Sequence, residues 1–306
     1  MHLTPGKFAF QTDRRYTLRS IGKFESRTKS WRRSNGRSLE GDRPSWCEVL
    51  EVRRSMRFAG KTIFITGGGS GIGAAAAQRF AKEGGLCTIV DVDGNAARGV
   101  AAELPDALPL EADVSNADAV ENAISTTVDR FGRIDVIFNN AGVPGDFEPL
   151  HESSLANWRR VLSVNGDGVF HVLKYGIASM LRTGGGSIVN TASVSGLVAS
   201  GPNLAAYMYT KAGVASITRA AACDYATRGI RVNAVAPAQV LTPLIERVIA
   251  NAVDPAADRE ARANRNPIPG FIMPGDVAAA VAFLASADAR FITGVVLPVD
   301  GGYLAR

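Results

Sequence analysis

Cysteine and histidine are scarce in this 306-residue chain, three of each, and widely spaced: Cys47, Cys87 and Cys223; His2, His151 and His171. No Cys-x-x-Cys pair and no His/Cys rhythm of ligand spacing occurs. That argues against a disulfide framework and a structural metal and for a reducing, cytoplasmic setting. Cys87 and Cys223 are expected as small buried side chains. Long apolar runs are missing too. Gly, Pro or a charge interrupts each well short of the roughly 20 residues that cross a bilayer, so no membrane span is expected. A basic body is also lacking, despite the formal charge of +5. Residues 1–57 carry 14 Lys+Arg against 6 Asp+Glu, and the remainder 20 against 23, so no groove for nucleic acid is expected in the folded part.

What is present divides at about residue 57. The first stretch is rich in Arg, Ser and Gly, without a period of 2 or 3.6 and without the apolar core of a secretory signal. It reads as a disordered extension, as an Arg-rich targeting segment, or as the product of a start misassigned ahead of Met56. From Phe58 onward, short apolar runs alternate with helical stretches. Strands are expected at KTIFIT (61–66), LCTIVDV (86–92), LPLEADV (108–114), RIDVIFNNAG (133–142), GSIVNTAS (186–193) and IRVNAVAP (230–237). Helices are expected over 71–84, 95–104, 116–131, about 153–182 and about 205–228. Strands apolar on both faces, each followed by a crossover helix, specify an α/β, doubly wound parallel sheet with helices on both sides, in one domain over 58–306. The irregular segment 243–270, beyond a strand's carboxyl end, is expected to form a mobile lid over a substrate.

TGGGSGIG (66–73) joins the first strand to the first helix. Gly67, Gly71 and Gly73 stand where the backbone turns tightly and approaches a pyrophosphate, with Ser70 and Ile72 between them at the free amide end of the helix. Asp91 ends the second strand, where a carboxylate accepts hydrogen bonds from the adenine ribose and repels a 2′-phosphate. No Lys or Arg lies inside the glycine loop or just after Asp91. NAD is therefore expected over NADP, and Asp93, past the strand end, is expected as an exposed turn residue.

Tyr207 is the only tyrosine of six with a lysine four residues on, Lys211, which puts both side chains on one helix face. A phenol titrates near pH 10, so a tyrosine base at neutral pH needs positive charge beside it, which Lys211 supplies.

Together with NNAG (139–142), Asn165 in VLSVN, Ser193 and YMYTK (207–211), these motifs resemble the short-chain dehydrogenase/reductase family, in order and spacing, over residues 58–306. DV at 113–114, the proline of APAQVLTP (236–243), and the closing ITG and VDGG (292–302) extend the resemblance. It implies a Rossmann fold and a metal-free transfer of hydride between NAD and a secondary alcohol or ketone. Tyr207 would be acid/base, Lys211 its tuner and a ribose ligand, Ser193 the substrate-oxygen donor with Ser195 as the competing assignment, and Asn165 the holder of a relay water. Asp113 and Val114 would border adenine, Asn140 would support the adenosine side, and Val240 and Thr242 would hold the carboxamide. Gly166 and Gly168 suggest an irregular helix at Asn165. Family members commonly pair helices into dimers and tetramers, so a homo-oligomer is expected.

The chain departs from the family pattern in two places: Ala238 stands where glycine is usual, and Tyr209 with Thr210 where small residues are. Tyr209 puts a large ring near the site or an interface. The stretch from GVFHVLKYGIASML through GGSIVNTASVSG resembles members acting on cyclic alcohols and dihydrodiols. Alternatives are an NADPH-dependent 3-oxoacyl thioester reductase and a non-catalytic NAD-binding scaffold. His151 is expected to be solvated or capping, and His171 and Trp158 to serve packing or an interface.

Overall fold

The computed structural model describes residues 56–306. The expectations for the N-terminal extension lie almost wholly outside them. Seven strands alternate with helices: β1 (Thr62–Thr66), α1 (Gly71–Lys82), β2 (Leu86–Asp91), α2 (Gly94–Ala102), β3 (Leu108–Glu111), α3 (Ala117–Phe131), β4 (Val136–Asn139), α4 (Leu155–Leu162), α5 (Gly168–Arg182), β5 (Gly186–Thr191), α6 (Ala205–Tyr225), β6 (Ile230–Pro237), α7 (Pro243–Ala250), α8 (Pro255–Ala263), α9 (Pro274–Ala285) and β7 (Val296–Val299). All pairings are parallel, in the order β3-β2-β1-β4-β5-β6-β7. This is the doubly wound Rossmann arrangement.

The period-2 alternation of the strands sorts side chains between two cores. Phe64, Ile137 and Ile188 point to one, with Val120 of α3, Val172 of α5 and Val214 of α6. Ile63, Ile65, Phe138 and Val189 point to the other, with Phe80 of α1 and Val281 of α9. Each of these large side chains is fully or almost fully buried, stabilising the fold by roughly 1.5–3 kcal/mol apiece. A parallel sheet covered on both faces has its ligand crevice at the carboxyl ends of the strands, where the order reverses between β1 and β4.

Six of the seven strands are those the sequence predicts, with β3 and β4 shorter than expected. β7 is not among the strands predicted; it is an edge strand and contains Pro298, as edge strand β3 contains Pro109, where an absent N–H costs no ladder bond. The helix expected over about 153–182 is broken by a π-helical turn, Ser163–Asp167, between α4 and α5. The segment 243–270 contains two short helices, α7 and α8, each with Pro in its first turn and a side-chain cap, Thr242 and Asp254.

One expectation is corrected. Cys87 is buried, its thiol pushed up to about 12 by desolvation, but Cys223 is exposed near the end of α6, on the face turned from the core formed by Ala221 and Ala222.

Candidate active site

The crevice at the β1/β4 switch is a cleft of about 1480 Å³, and every site residue expected from the sequence lines it except Gly73 and Asn165. Those two act from just behind its wall.

The glycine loop fits a dinucleotide cradle. Gly67 and Gly71 have φ of +60° and +53°, the left-handed region that favours glycine. A Cβ on Gly73 would fall 2.0 Å from the Gly67 carbonyl oxygen, and one on Gly67 would fall 2.9 Å from Ala141 Cα. Ser70 caps α1 without a side-chain hydrogen bond, so the first-turn amides of Gly71, Ile72 and Gly73 meet no cap from that side chain. Asp91 closes the loop from β2: its carboxylate accepts from Gly69 N–H at 2.9 Å and from Asp93 N–H at 3.1 Å. Asp93 itself is the exposed N-cap of α2, accepting from the Asn95 and Ala96 amides.

Beyond β3, Asp113 accepts from Ser115 N–H, and Val114 is buried, its carbonyl 2.9 Å from His171 Nδ1. Asn140 makes a fuller clip than the sequence indicates. Its side chain donates to the carbonyls of Thr66 and Gly67 and accepts from the Thr191 hydroxyl, joining the ends of β1, β4 and β5.

Across the cleft, the strip after β6 carries Val240, buried and bridged to Ile272, and Thr242, whose methyl would lie 3.3 Å from a Cβ on Gly71. The strip therefore faces the glycine loop. Ala238 keeps a negative φ, so its methyl is accommodated without left-handed strain.

Tyr207 and Lys211 rise from the first turns of α6 beneath the carboxyl end of β5. Lys211 is buried and donates to the Thr191 carbonyl at 2.7 Å; desolvation brings its amine down to about 8. The ammonium lies 5.7 Å from the Tyr207 ring centroid. Burial pushes the Tyr207 phenol above its ordinary value, and the Ser193 hydroxyl, hydrogen-bonded to it, works in the opposite direction. Ser193 Oγ also accepts from Ser195 N–H at 3.2 Å, while Ser195 Oγ is 2.6 Å from Ser200 Oγ. Of the two serines, Ser193 is the one that reaches the phenol.

Asn165 sits in the π-helical turn, fully buried. Its amide oxygen accepts from Val143 N–H at 2.8 Å, and its amide nitrogen donates to the Val143 carbonyl at 2.9 Å and to Thr210 Oγ1 at 3.4 Å. Three residues missed at the sequence level belong here. Thr210, noted there only as unusually large, anchors Asn165 to the helix of Tyr207 and Lys211. Gly142 leaves room for both groups, since a Cβ there would be 3.2 Å from Asn165 Oδ1 and 3.4 Å from Lys211 Nζ. Val143 holds Asn165 through its backbone alone, which no side-chain pattern reveals.

Tyr209 is exposed and packs tilted against Trp158, ring centroids 5.1 Å apart, outside the cleft. Of its two expected settings, the structure places it away from the site. His151 is exposed and outside the cleft as well. The segment 243–270 contributes Leu244, Val248, Arg265 and Asn266, among others, to the cleft.

A family model described as "Enoyl-(Acyl carrier protein) reductase" matches residues 67–304. Cis-4-hydroxycyclohexanecarboxylate dehydrogenase of Sinomonas cyclohexanicum is 42% identical over 252 residues, covering 81% of this chain and 98% of that protein. A crystal structure of levodione reductase superposes with a TM-score of 0.78 at 38% identity, covering 81% of this chain and 99% of the other. A 3-ketoacyl-(acyl-carrier-protein) reductase from Brucella melitensis, complexed with NADH, superposes with a TM-score of 0.74 at 36% identity, covering 80% and 98%.

Proposed function

The chain belongs to the short-chain dehydrogenase/reductase family, and on that premise we propose that it is an NAD-dependent oxidoreductase interconverting a small secondary alcohol, of the cyclic-alcohol or diol type, and its ketone. The observation that carries this reading is the convergence of Ser193, Tyr207 and Lys211, with Asn165 just behind them, on one wall of a cleft also lined by the glycine loop.

A bound nicotinamide would accept hydride from the alcohol carbon, or return it to the ketone, and in its oxidised form would add positive charge beside the phenol. The chain's residues do the rest. Ser193 holds the substrate oxygen toward Tyr207, which takes the alcohol proton in oxidation and returns it in reduction. Lys211, still protonated at neutral pH with its amine near 8, lowers the cost of phenolate by the nearness of its charge. Asn165, fixed at three points, keeps the irregular turn open behind Lys211 for proton exchange with solvent. Gly67, Ser70, Gly71, Ile72 and Gly73 would seat the pyrophosphate, Asp113, Val114 and Asn140 the adenosine end, and Val240 with Thr242 the carboxamide. The helices α7 and α8 would close over substrate.

Asp91 supports NAD: a carboxylate at the β2 end disfavours a 2′-phosphate, and no Lys or Arg of the cleft adjoins it. Among the described residues no helix is long and apolar enough to cross a membrane. A cytoplasmic homo-oligomer is the setting in which we expect the enzyme to work. The second reading, an NADPH-dependent 3-oxoacyl thioester reductase, is supported by the likeness to the Brucella structure, which holds NADH.

A panel of cyclic and acyclic secondary alcohols and of 3-oxoacyl thioesters, assayed with NAD⁺, NADP⁺ and their reduced forms through nicotinamide absorbance, tests the proposal. Turnover of alcohols with NAD⁺ is expected. Equal or faster rates with NADP⁺ would refute the Asp91 argument, and turnover of thioesters alone would replace the substrate class.

A further inference from the structure

Four arginines line the cleft, Arg160, Arg247, Arg262 and Arg265, and they differ in what holds them. Arg160 pairs with Asp146 at 2.9 Å and Arg262 with Asp258 at 2.6 Å. Arg265 donates to the Ser200 carbonyl, which orders the guanidinium without cancelling its charge. Arg247 is exposed and forms no ion pair among the described residues.

Helix α7 shows which way Arg247 is turned. Ile249 is buried and Ile245, one turn before it, is half-buried, so that side of the helix packs inward. Leu244, Arg247 and Val248, at i, i+3 and i+4, form an exposed face, and all three line the cleft. Glu246 lines the cleft as well, but residues next to each other in sequence stand about 100° apart around a helix and do not face one another. The other acids of the cleft wall, Asp91 and Asp113, accept from backbone amides beside β2 and β3. Arg247 and Arg265 together therefore outweigh Glu246 on the side of the cleft formed by the segment 243–270.

The neighbours of Arg247 narrow the ligand further. Leu244 and Val248 flank it, and Phe147 is a third exposed apolar side chain of the cleft. An unpaired cation on an apolar surface suits a ligand with an apolar body and one anionic group. The body covers Leu244 and Val248, and a carboxylate meets the guanidinium through two parallel N–H···O bonds, strengthened as the body displaces water. Deeper in the cleft wall, Gln239 Oε1 and Asn266 Oδ1 are buried without partners; as acceptors they offer a carboxylate nothing, which leaves the open side, where Arg247 is exposed, as its place.

We infer that Arg247 receives a carboxylate on the substrate, so that the preferred alcohol is a hydroxy acid with an apolar body, taken ahead of uncharged alcohols of the same shape. This rests on the alcohol/ketone reading above, in which the hydroxyl of the same molecule reaches Tyr207.

The test compares kcat/KM, at saturating nicotinamide cofactor, for 3- and 4-hydroxycyclohexanecarboxylate and for the matching primary amides, which keep the shape and lose the charge. It uses the full-length enzyme, Arg247→Gln and Arg247→Glu. The better acid is expected to exceed its amide by roughly tenfold or more, the worth of a hydrogen bond to a charged group at a partly open site, and raising the ionic strength from about 0.05 to 0.5 M is expected to narrow the gap. Arg247→Gln is expected to bring acid and amide to parity and Arg247→Glu to reverse their order. Circular dichroism checks that both variants fold, and the wild-type ratio with its salt dependence stands without them. Parity of acid and amide in the wild type overturns this inference while the alcohol reading survives. So does a ratio unmoved in the folded variants, or an equal loss on acid and amide, the mark of an arginine that holds the phosphates of the dinucleotide. No turnover of the acids, the amides or cyclohexanol with either nicotinamide cofactor overturns both.

Discussion

At the scale of single residues, Lys211 shows the conflict between stability and chemistry most clearly. Its amine is buried against a backbone carbonyl and titrates near 8, below the ordinary 10.5. Between those values the unfolded chain binds more protons than the folded one, so stability rises with pH through the window. Below pH 8 the whole cost is present, about 3 kcal/mol. Lys211→Met is therefore expected to raise the melting temperature of the cofactor-free protein at pH 7 by several degrees while removing most activity; calorimetry beside an initial-rate assay checks it, and a lowered melting temperature would count against the account. The direction of the Tyr207 shift sets a second expectation. With the phenol held above its ordinary value, ketone reduction, which needs the proton, is favoured near neutrality, and alcohol oxidation, which needs the phenolate, climbs from pH 7 to 9. Rate profiles in both directions read this out; oxidation fastest at pH 6 would contradict it. The i, i+4 spacing of Tyr207 and Lys211 puts both on one helix face, and both line the cleft. Thr210 was not legible in the sequence, since a threonine there has no meaning until Asn165 is seen beneath it, and Cys223 was misjudged because composition does not say which face of a helix a small side chain occupies.

At the scale of elements, the positions that build the site are those where regular structure is bent. Gly166 and Gly168 flag the π-helical turn in the sequence, but their roles differ. A Cβ on Gly166 would meet nothing, whereas one on Gly168 would fall 2.7 Å from Val114 Cγ2, so Gly168 sets how closely α5 approaches Val114. Gly168→Ala is expected to weaken dinucleotide binding by roughly tenfold by displacing Val114, with Gly166→Ala nearly silent; fluorescence titration with NADH measures both, and equal effects would refute the distinction. The β-α alternation, the glycine loop and the helix faces could be read from local pattern because each depends on a few neighbouring residues. β7 could not, since its strand character comes from lying at a sheet edge where Pro298 is harmless; the irregularity at Asn165 could, but not the tertiary bonds from Val143 and Thr210 that hold it.

At the scale of the whole molecule, two cores cover the faces of one parallel sheet, and the cleft opens at its reversal point among the described residues. On the outside, α6 presents Tyr209, Ala212, Gly213 and Ser216 as one exposed stripe, with Trp158 of α4 packed against Tyr209. Small residues flanking an exposed tyrosine backed by a half-buried tryptophan suit helix-to-helix association. Sedimentation equilibrium is expected to find a dimer or tetramer that Tyr209→Asp shifts toward monomer, and a monomeric wild type would defeat that expectation. The central claim is that Tyr207 carries the proton of the reaction. It is tested most directly by single-turnover rates of Tyr207→Phe on an alcohol that the wild type oxidises, alongside its affinity for NADH. The account expects cofactor affinity within about threefold of wild type and a rate lower by 10³ or so, a loss of ~4 kcal/mol of barrier lowering. A rate within tenfold of wild type would contradict it.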